Sequence, residues 1–334
     1  MGGMASGCPP RPSWYLGALG RIIHCMKRSY VSIAKLVAAG ATAGFFVSRL
    51  QPKSHLSAGQ VAVITGGSRG LGLGLAHRFG KAGLRLVLAA PDKDELECAL
   101  EGLLAQGSVL QRDDVLLFQC DLRNPADATG LIGATLDRFG RLDVLINNAG
   151  IIVVGPAENQ PLESYRDAMD VDFFAALHCT YAALRQFVQQ RSGAIVNIAS
   201  IGGKLAVPHL LPYVAAKFAL TGFSEGLHAE LRNRGIRVTT VCPGLMRTGG
   251  ETHAQFHGQI RKEKMWFQLG ARTPLLAASV AQAADKIFRA VDQARAEITI
   301  TPQAWLAARF AGLAPETTQR IAALVHGYLL PSPN

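Results

Sequence analysis

The six cysteines, Cys8, Cys25, Cys98, Cys120, Cys179 and Cys242, never fall into a C-x-x-C spacing, and this lack excludes both a zinc ribbon and a disulfide framework. Each reads instead as a small apolar residue in a body made for a reducing compartment. Charge is scarce as well. Only 17% of the residues are Asp, Glu, Lys or Arg against 49% hydrophobic ones, which excludes a disordered or fibrous chain and lets 334 residues bury one large core. Acidic residues are missing altogether from positions 1–58, which hold Arg11, Arg21, Lys27, Arg28, Lys35, Arg49 and Lys53. Those seven carry most of the net +10 and leave the remainder with 34 − 7 = 27 basic against 24 acidic residues, or +3. A body so near neutrality excludes a phosphate-tracking surface, so no nucleic-acid partner is expected. Repetition is lacking too: no signature recurs with a period of about 20 to 50 residues, which excludes a solenoid.

From Gln60 onward, short β-branched runs alternate with longer helical patterns, the signature of βαβ units around a parallel sheet. Strands are expected near 60–65, 84–89, 115–120, 142–147, 194–199, 236–242 and 297–300. They predict an α/β fold with a doubly wound, mostly parallel seven-stranded sheet and helices on both faces. Beyond Pro302, two short amphipathic helices around Pro315 are expected to pack on the parent domain. The chain is thereby divided into a basic leader 1–57, a sheet domain 58–302 and a helical extension 303–334.

Thr65-Gly66-Gly67-Ser68-Arg69-Gly70-Leu71-Gly72 directly follows the first strand and opens the first helix. Gly66 allows the tight turn, Gly70 lets backbone N–H groups approach a pyrophosphate, and Gly72 permits close helix–strand packing. The helix N-terminus favours the negative charge. Strand, turn and helix in that order make this a dinucleotide site, with Gly66, Ser68, Arg69, Gly70, Leu71 and Gly72 as candidate contacts.

The spacing G-x-x-x-G-x-G resembles the short-chain dehydrogenase/reductase family, and further motifs of that family recur in order. They are Asp121-Leu122 after the third strand, Asn147-Asn148-Ala149-Gly150 at the end of the fourth, Ser200 after the fifth, Tyr213-Val214-Ala215-Ala216-Lys217, and Pro243-Gly244 after the sixth. The resemblance covers roughly residues 58 to 300 and implies a Rossmann-type, NAD(P)-dependent oxidoreductase. It implies that Asp121 and Leu122 contact the adenine, that Asn148, Ala149, Gly150, Pro243 and Gly244 belong to the cofactor site, and that Thr248 contacts the carboxamide.

Tyr213 and Lys217 sit at i and i+4 of a helical stretch, so their side chains share one face. A phenol titrates near pH 10 unperturbed, and a fixed ammonium beside it, with the positive nicotinamide ring, is expected to lower that value. By resemblance Lys217 also binds the nicotinamide ribose, and Ser200 holds the substrate oxygen while hydride passes to or from the adjacent carbon. Ser200, Tyr213 and Lys217 are therefore the candidate catalytic set. One position departs from the family: Met169-Asp170-Val171-Asp172-Phe173-Phe174 places Asp172 where an Asn is usual. That Asp either holds a water and orients Lys217, or pairs with Lys217 and shifts the pH optimum. A non-catalytic nucleotide sensor or scaffold on the same fold is the alternative, and the intact catalytic set argues against it.

The second strand ends Leu88-Ala89-Ala90-Pro91, so no carboxylate is expected there to repel a 2′-phosphate, and Arg69 is placed to meet one. NADP is expected over NAD, modestly, because Pro91 stands where a second Arg is common in NADP enzymes of the family. The long segment between Gly244 and Ser279 matches the family's substrate lid. Met246, Phe256, Met265, Trp266 and Phe267 make it apolar and predict a hydrophobic alcohol or carbonyl substrate. His253 and His257 lie four apart without a carboxylate or Cys cluster, so no metal is expected. The resemblance leaves room for a homo-oligomer.

In the leader, Lys35 splits an apolar stretch and leaves only Leu36 to Ser48 uncharged, thirteen residues, where a straight spanning helix needs about 20. With Lys35 snorkelling to the headgroups, the stretch from Ser29 to Ser48 reaches across or lies in the interface. Met26-Lys27-Arg28 reads as the positive flank of a signal-anchor, and Met26 is an alternative start. Because a nicotinamide cofactor is cytosolic, the expectation is an uncleaved transmembrane anchor with the catalytic domain facing the cytoplasm. Ala41-Thr42-Ala43 resembles a cleavage site and the acid-free leader suits a transit peptide, so a cytoplasmic or organellar body after cleavage stays open.

Overall fold

Consecutive apolar residues, rather than alternating ones, mark strands that are covered on both faces. In the computed structural model, which describes residues 54–249, 252–272 and 277–333, seven such strands form one parallel sheet. They are β1 Val61–Thr65, β2 Arg85–Ala90, β3 Val115–Gln119, β4 Val144–Asn147, β5 Gly193–Ile198, β6 Ile236–Cys242 and β7 Glu297–Thr299. Each lies within two residues of its expected bounds. The order across the sheet is β3-β2-β1-β4-β5-β6-β7, so winding reverses between β1 and β4, the crevice where ligands bind in such sheets.

The helices are α1 Gly70–Gly80, α2 Lys93–Ala105, α3 Pro125–Phe139, α4 Leu162–Met169, α5 Ala175–Gln190, α6 Leu211–Leu231, α7 Ile260–Arg272, α8 Val280–Asp292, α9 Pro302–Leu313 and α10 Pro315–Leu329. Alternate residues of β1 feed two cores. Ala62 and Ile64 pack with Leu75 and Phe79 of α1, Leu100 of α2 and Ile287 of α8. Val61 and Val63 pack with Leu131 of α3, Phe187 of α5 and Leu227 of α6. A fully buried Leu, Ile or Phe contributes roughly 1.5–3 kcal/mol, so these two layers fix the sheet that carries the site.

Between α4 and α5 the helix does not break but widens into a π turn over Asp170–Phe174. At the other end, the Asp292 carboxylate closing α8 accepts hydrogen bonds from Ser54 Oγ at 2.8 Å and from the amides of His55 and Leu56 at 2.9 Å each. The start of the described residues is thus tied to the end of α8. The C-terminal helices correct one expectation. They form around Pro315, but α10 buries none of its residues and α9 only Ala304, leaving Leu306, Leu313, Leu324 and Tyr328 exposed. Their apolar faces therefore do not pack fully on the parent domain. The anchor stretch from Ser29 to Ser48 lies outside the described residues, and no helix among the described residues is long and apolar enough to cross a membrane.

Candidate active site

A cavity of about 1090 Å³ opens along the C-terminal ends of the strands, across the β1/β4 reversal. Its wall carries Gly66, Ser68, Arg69, Gly70, Leu71 and Gly72 from the first turn, Asp121 and Leu122 after β3, and Asn148, Ala149 and Gly150 after β4. It also carries Ser200, Tyr213, Lys217, Pro243, Gly244 and Thr248. The sequence-predicted site residues are thus brought to one cavity.

The dinucleotide end is built by backbone geometry. Gly66 and Gly70 have φ of +62° and +55°, left-handed values that suit glycine. A Cβ on Gly72 would lie 1.9 Å from the Gly66 carbonyl oxygen, so only glycine lets α1 start this close to β1. The first turn of α1 has neither a side-chain cap nor an acidic residue, which leaves its N–H groups and positive dipole end for an anion. Asn148 braces the loop: its Nδ2 donates to the carbonyls of Thr65 and Gly66 at 2.9 and 3.1 Å. These features fit the pyrophosphate of a dinucleotide.

The structure corrects the reading of the adenosine corner. A carboxylate is present: Glu95, in the first turn of α2, pairs with Arg69 Nη1 at 2.5 Å and accepts from Ser68 Oγ at 2.9 Å. Inspecting the end of β2 alone misses it, because the turn capped by Asp92 swings Glu95 back over the glycine loop. In the sequence it looks like any acidic residue favoured at a helix N-terminus. Asp121 also has a partner not foreseen, Arg123, whose guanidinium holds its carboxyl below the usual range.

At the chemical end, Ser200 follows β5 and accepts from the Gly202 amide at 3.0 Å through Oγ. Pro212 sits in the first turn of α6, and one helical turn separates Tyr213 from Lys217, whose Nζ lies 5.6 Å from the phenol ring centroid. Lys217 is buried; its Nζ donates to the Ile198 carbonyl at 3.1 Å and lies 3.6 Å from Asp172 Oδ1. The Tyr213 phenol is raised above its ordinary value rather than lowered. Burial dominates, Lys217 and a hydrogen bond with Ser200 pull it down, and Asp172 pushes it up. At neutral pH the phenol therefore keeps its proton, and the expected lowering by Lys217 is outweighed by desolvation.

At the substrate end, Met246, Trp266 and Phe267 line the cavity with Leu210 and Val207, and Phe256 packs behind them. Met265 does not contribute; it is exposed. His253 reaches the wall, whereas His257 lies 3.1 Å from Ser164. A connection not foreseen holds the lid: buried Glu263 of α7 contacts His209 Nδ1 at 2.9 Å and accepts from Trp266 Nε1 at 2.6 Å. It fastens the Trp266 wall to the loop just before α6.

Residues 60–256 match the family model of short chain dehydrogenase, and the chain belongs to that family of oxidoreductases. It is 37% identical over 194 residues to a dehydrogenase/reductase SDR family protein 7-like of Anopheles gambiae, a match covering 58% of this chain and 61% of that one. Among solved structures it resembles a short chain dehydrogenase/reductase from Burkholderia phymatum in complex with NAD, with a TM-score of 0.71, 27% identity, and coverage of 78% of this chain and 95% of that one. It also resembles a variant of actinorhodin polyketide ketoreductase with NADPH, with a TM-score of 0.64, 28% identity, and coverage of 73% and 97%.

Proposed function

We propose that this protein interconverts a hydrophobic alcohol and its ketone or aldehyde with NADP, and less readily NAD, using Tyr213 as acid and base. The observation that carries this reading is the convergence of Ser200, Tyr213 and Lys217 beneath an apolar wall of Met246, Trp266 and Phe267 in the same cavity as the glycine loop. The nicotinamide, when bound, supplies or accepts the hydride. In the reductive direction Ser200 Oγ holds the carbonyl oxygen by hydrogen bond, and Tyr213 transfers its phenolic proton to that oxygen as charge develops on it. Lys217 then faces a phenolate that it stabilises until the proton is replaced. Trp266 and Phe267 exclude water and bind the apolar part of the substrate.

The preference for NADP follows from magnitudes. The Arg69–Glu95 pair has side-chain exposures of 54% and 34%, and a surface pair of this kind contributes about 0–1 kcal/mol. A charge-assisted contact to a 2′-phosphate is worth roughly 1.5–3 kcal/mol. The phosphate therefore wins Arg69, but against Glu95, and the preference is modest. We assign the protein to a membrane surface through its leader, with the catalytic domain on the cytoplasmic side. A panel of apolar ketones and alcohols with NADPH or NADP, followed at the nicotinamide absorbance, tests the reaction. Cofactor binding without turnover of any member would favour a nucleotide sensor instead.

A further inference from the structure

Asp172 is a buried carboxylate that the reaction above does not use. It is 1% exposed, and only one of its oxygens is engaged: Oδ1 accepts from the Ile151 amide at 2.9 Å and lies 3.6 Å from Lys217 Nζ. Oδ2 is buried with no hydrogen-bond partner among the described residues, an arrangement that calls for an explanation. The backbone is shaped around the pair. A Cβ on Gly150 would fall 2.6 Å from Asp172 Oδ1 and 3.3 Å from Lys217 Nζ, so the absence of a side chain there makes room for both. The π turn Asp170–Phe174 interrupts the α-helical spacing at this point, a distortion concentrated at functional sites.

We propose that Asp172 is a positioning residue whose negative charge, set against Lys217, keeps the proton on Tyr213 through neutral pH and so sets the pH range in which the site protonates a carbonyl. This rests on the reading of Tyr213 as the acid. The groups involved are few. Lys217 of α6 and the Ile151 amide act on the carboxylate, and Lys217, Asp172, Ser200 and Cys242 of β6 act on the phenol. Lys217 alone would draw Tyr213 toward phenolate; Asp172 offsets that pull and raises the phenol. An Asn at this position would keep the Ile151 contact and lose the charge. Burial pushes the Asp172 carboxyl up to about 6, and Lys217 resists the rise, so the charge is present at neutral pH and fades only in mild acid.

The sign of the stability effect follows from linkage. A carboxyl raised in the folded state weighs against folding above its folded value and is neutral in effect below its ordinary one. Asp172→Asn should therefore match the wild type in melting temperature near pH 4 and melt higher by pH 7, the gap opening between the ordinary 3.8 and about 6.

The decisive measurement needs no substrate. Tyrosinate absorbance of the wild-type protein minus that of Tyr213→Phe gives the Tyr213 titration, which is repeated in the Asp172→Asn background. The midpoint should fall by about one pH unit when the charge is removed; coincident midpoints overturn the proposal. With a working substrate, the rising limb of kcat/KM for alcohol oxidation should move to lower pH by the same amount. If the Asn variant does not fold, carboxyl-13C aspartate spectra of the wild type decide. Aspartates that are all ionised by pH 7 support the proposal, and one still protonated there overturns it. A protein that turns over no alcohol or carbonyl but shows the tyrosinate shift refutes the proposed reaction and leaves the role of Asp172 standing.

Discussion

Replacing Tyr213 by Phe keeps the ring beside Lys217 and removes only the proton. Turnover should fall roughly 100- to 10,000-fold, the share general acid–base catalysis contributes, with cofactor affinity by fluorescence titration within a few-fold of wild type. Retained turnover in a clean preparation would sink the assignment. At the adenosine corner two changes bracket Arg69. Arg69→Ala should weaken NADPH more than NADH, by about 1–3 kcal/mol, whereas Glu95→Gln releases Arg69 and should tighten NADPH selectively. Equal effects on both cofactors in calorimetry would show that Arg69 does not read the 2′-phosphate. Residues of this kind differ in how visible they are in sequence. Tyr213 and Lys217 announce themselves because one helix supplies both. Glu95 does not, since its approach to Arg69 depends on the path of the chain after β2.

The elements were largely legible because both faces of the sheet are covered, so each strand is a dense apolar run and glycine or proline punctuates the turns. The π turn was not. Widening one turn displaces the register of side chains without any change in composition, and Met169 to Phe174 reads as an ordinary helix until its hydrogen bonds are seen. The lid connection from Glu263 to His209 was equally hidden, since 54 residues separate the two. Where β1 meets α1 the sequence speaks plainly, and a test follows. Gly72→Ala would set a methyl group 1.9 Å from the Gly66 carbonyl and 2.7 Å from Asn148 Nδ2. Backbone cannot yield there as a long side chain could, so α1 must back away from β1. The expected cost is about 1–3 kcal/mol of stability together with loss of dinucleotide binding. Unchanged cofactor affinity in a folded Ala variant would show that the helix N-terminus is not the phosphate site.

At the scale of the whole molecule the charge asymmetry decides what to measure. Positions 1–58 carry seven basic residues and no acidic ones, with an apolar stretch from Ser29 to Ser48. Attraction of basic residues to anionic lipid is worth about 1 kcal/mol per residue and is screened by salt. Burial of apolar surface, at about 25 cal/mol per Å², is not. An anchored full-length protein should therefore sediment with membranes and stay there in high salt, and release by salt alone would reduce the leader to peripheral binding. The exposed apolar faces of α9 and α10 would be a second source of any membrane affinity, so the comparison must separate the two. A shortened chain should begin at Ser54 rather than at 58, the expected start of the sheet domain, because Asp292 holds Ser54, His55 and Leu56 through three hydrogen bonds. At roughly 0.5–1.5 kcal/mol each, their loss would lower the melting temperature of the shorter chain. The chain from Ser54 retains every described residue of the cavity wall and should bind and turn over as the full-length protein does. If it also loses the salt-resistant sedimentation, the leader is the anchor; if it still sediments in high salt, the C-terminal helices hold the membrane and the anchor assignment falls.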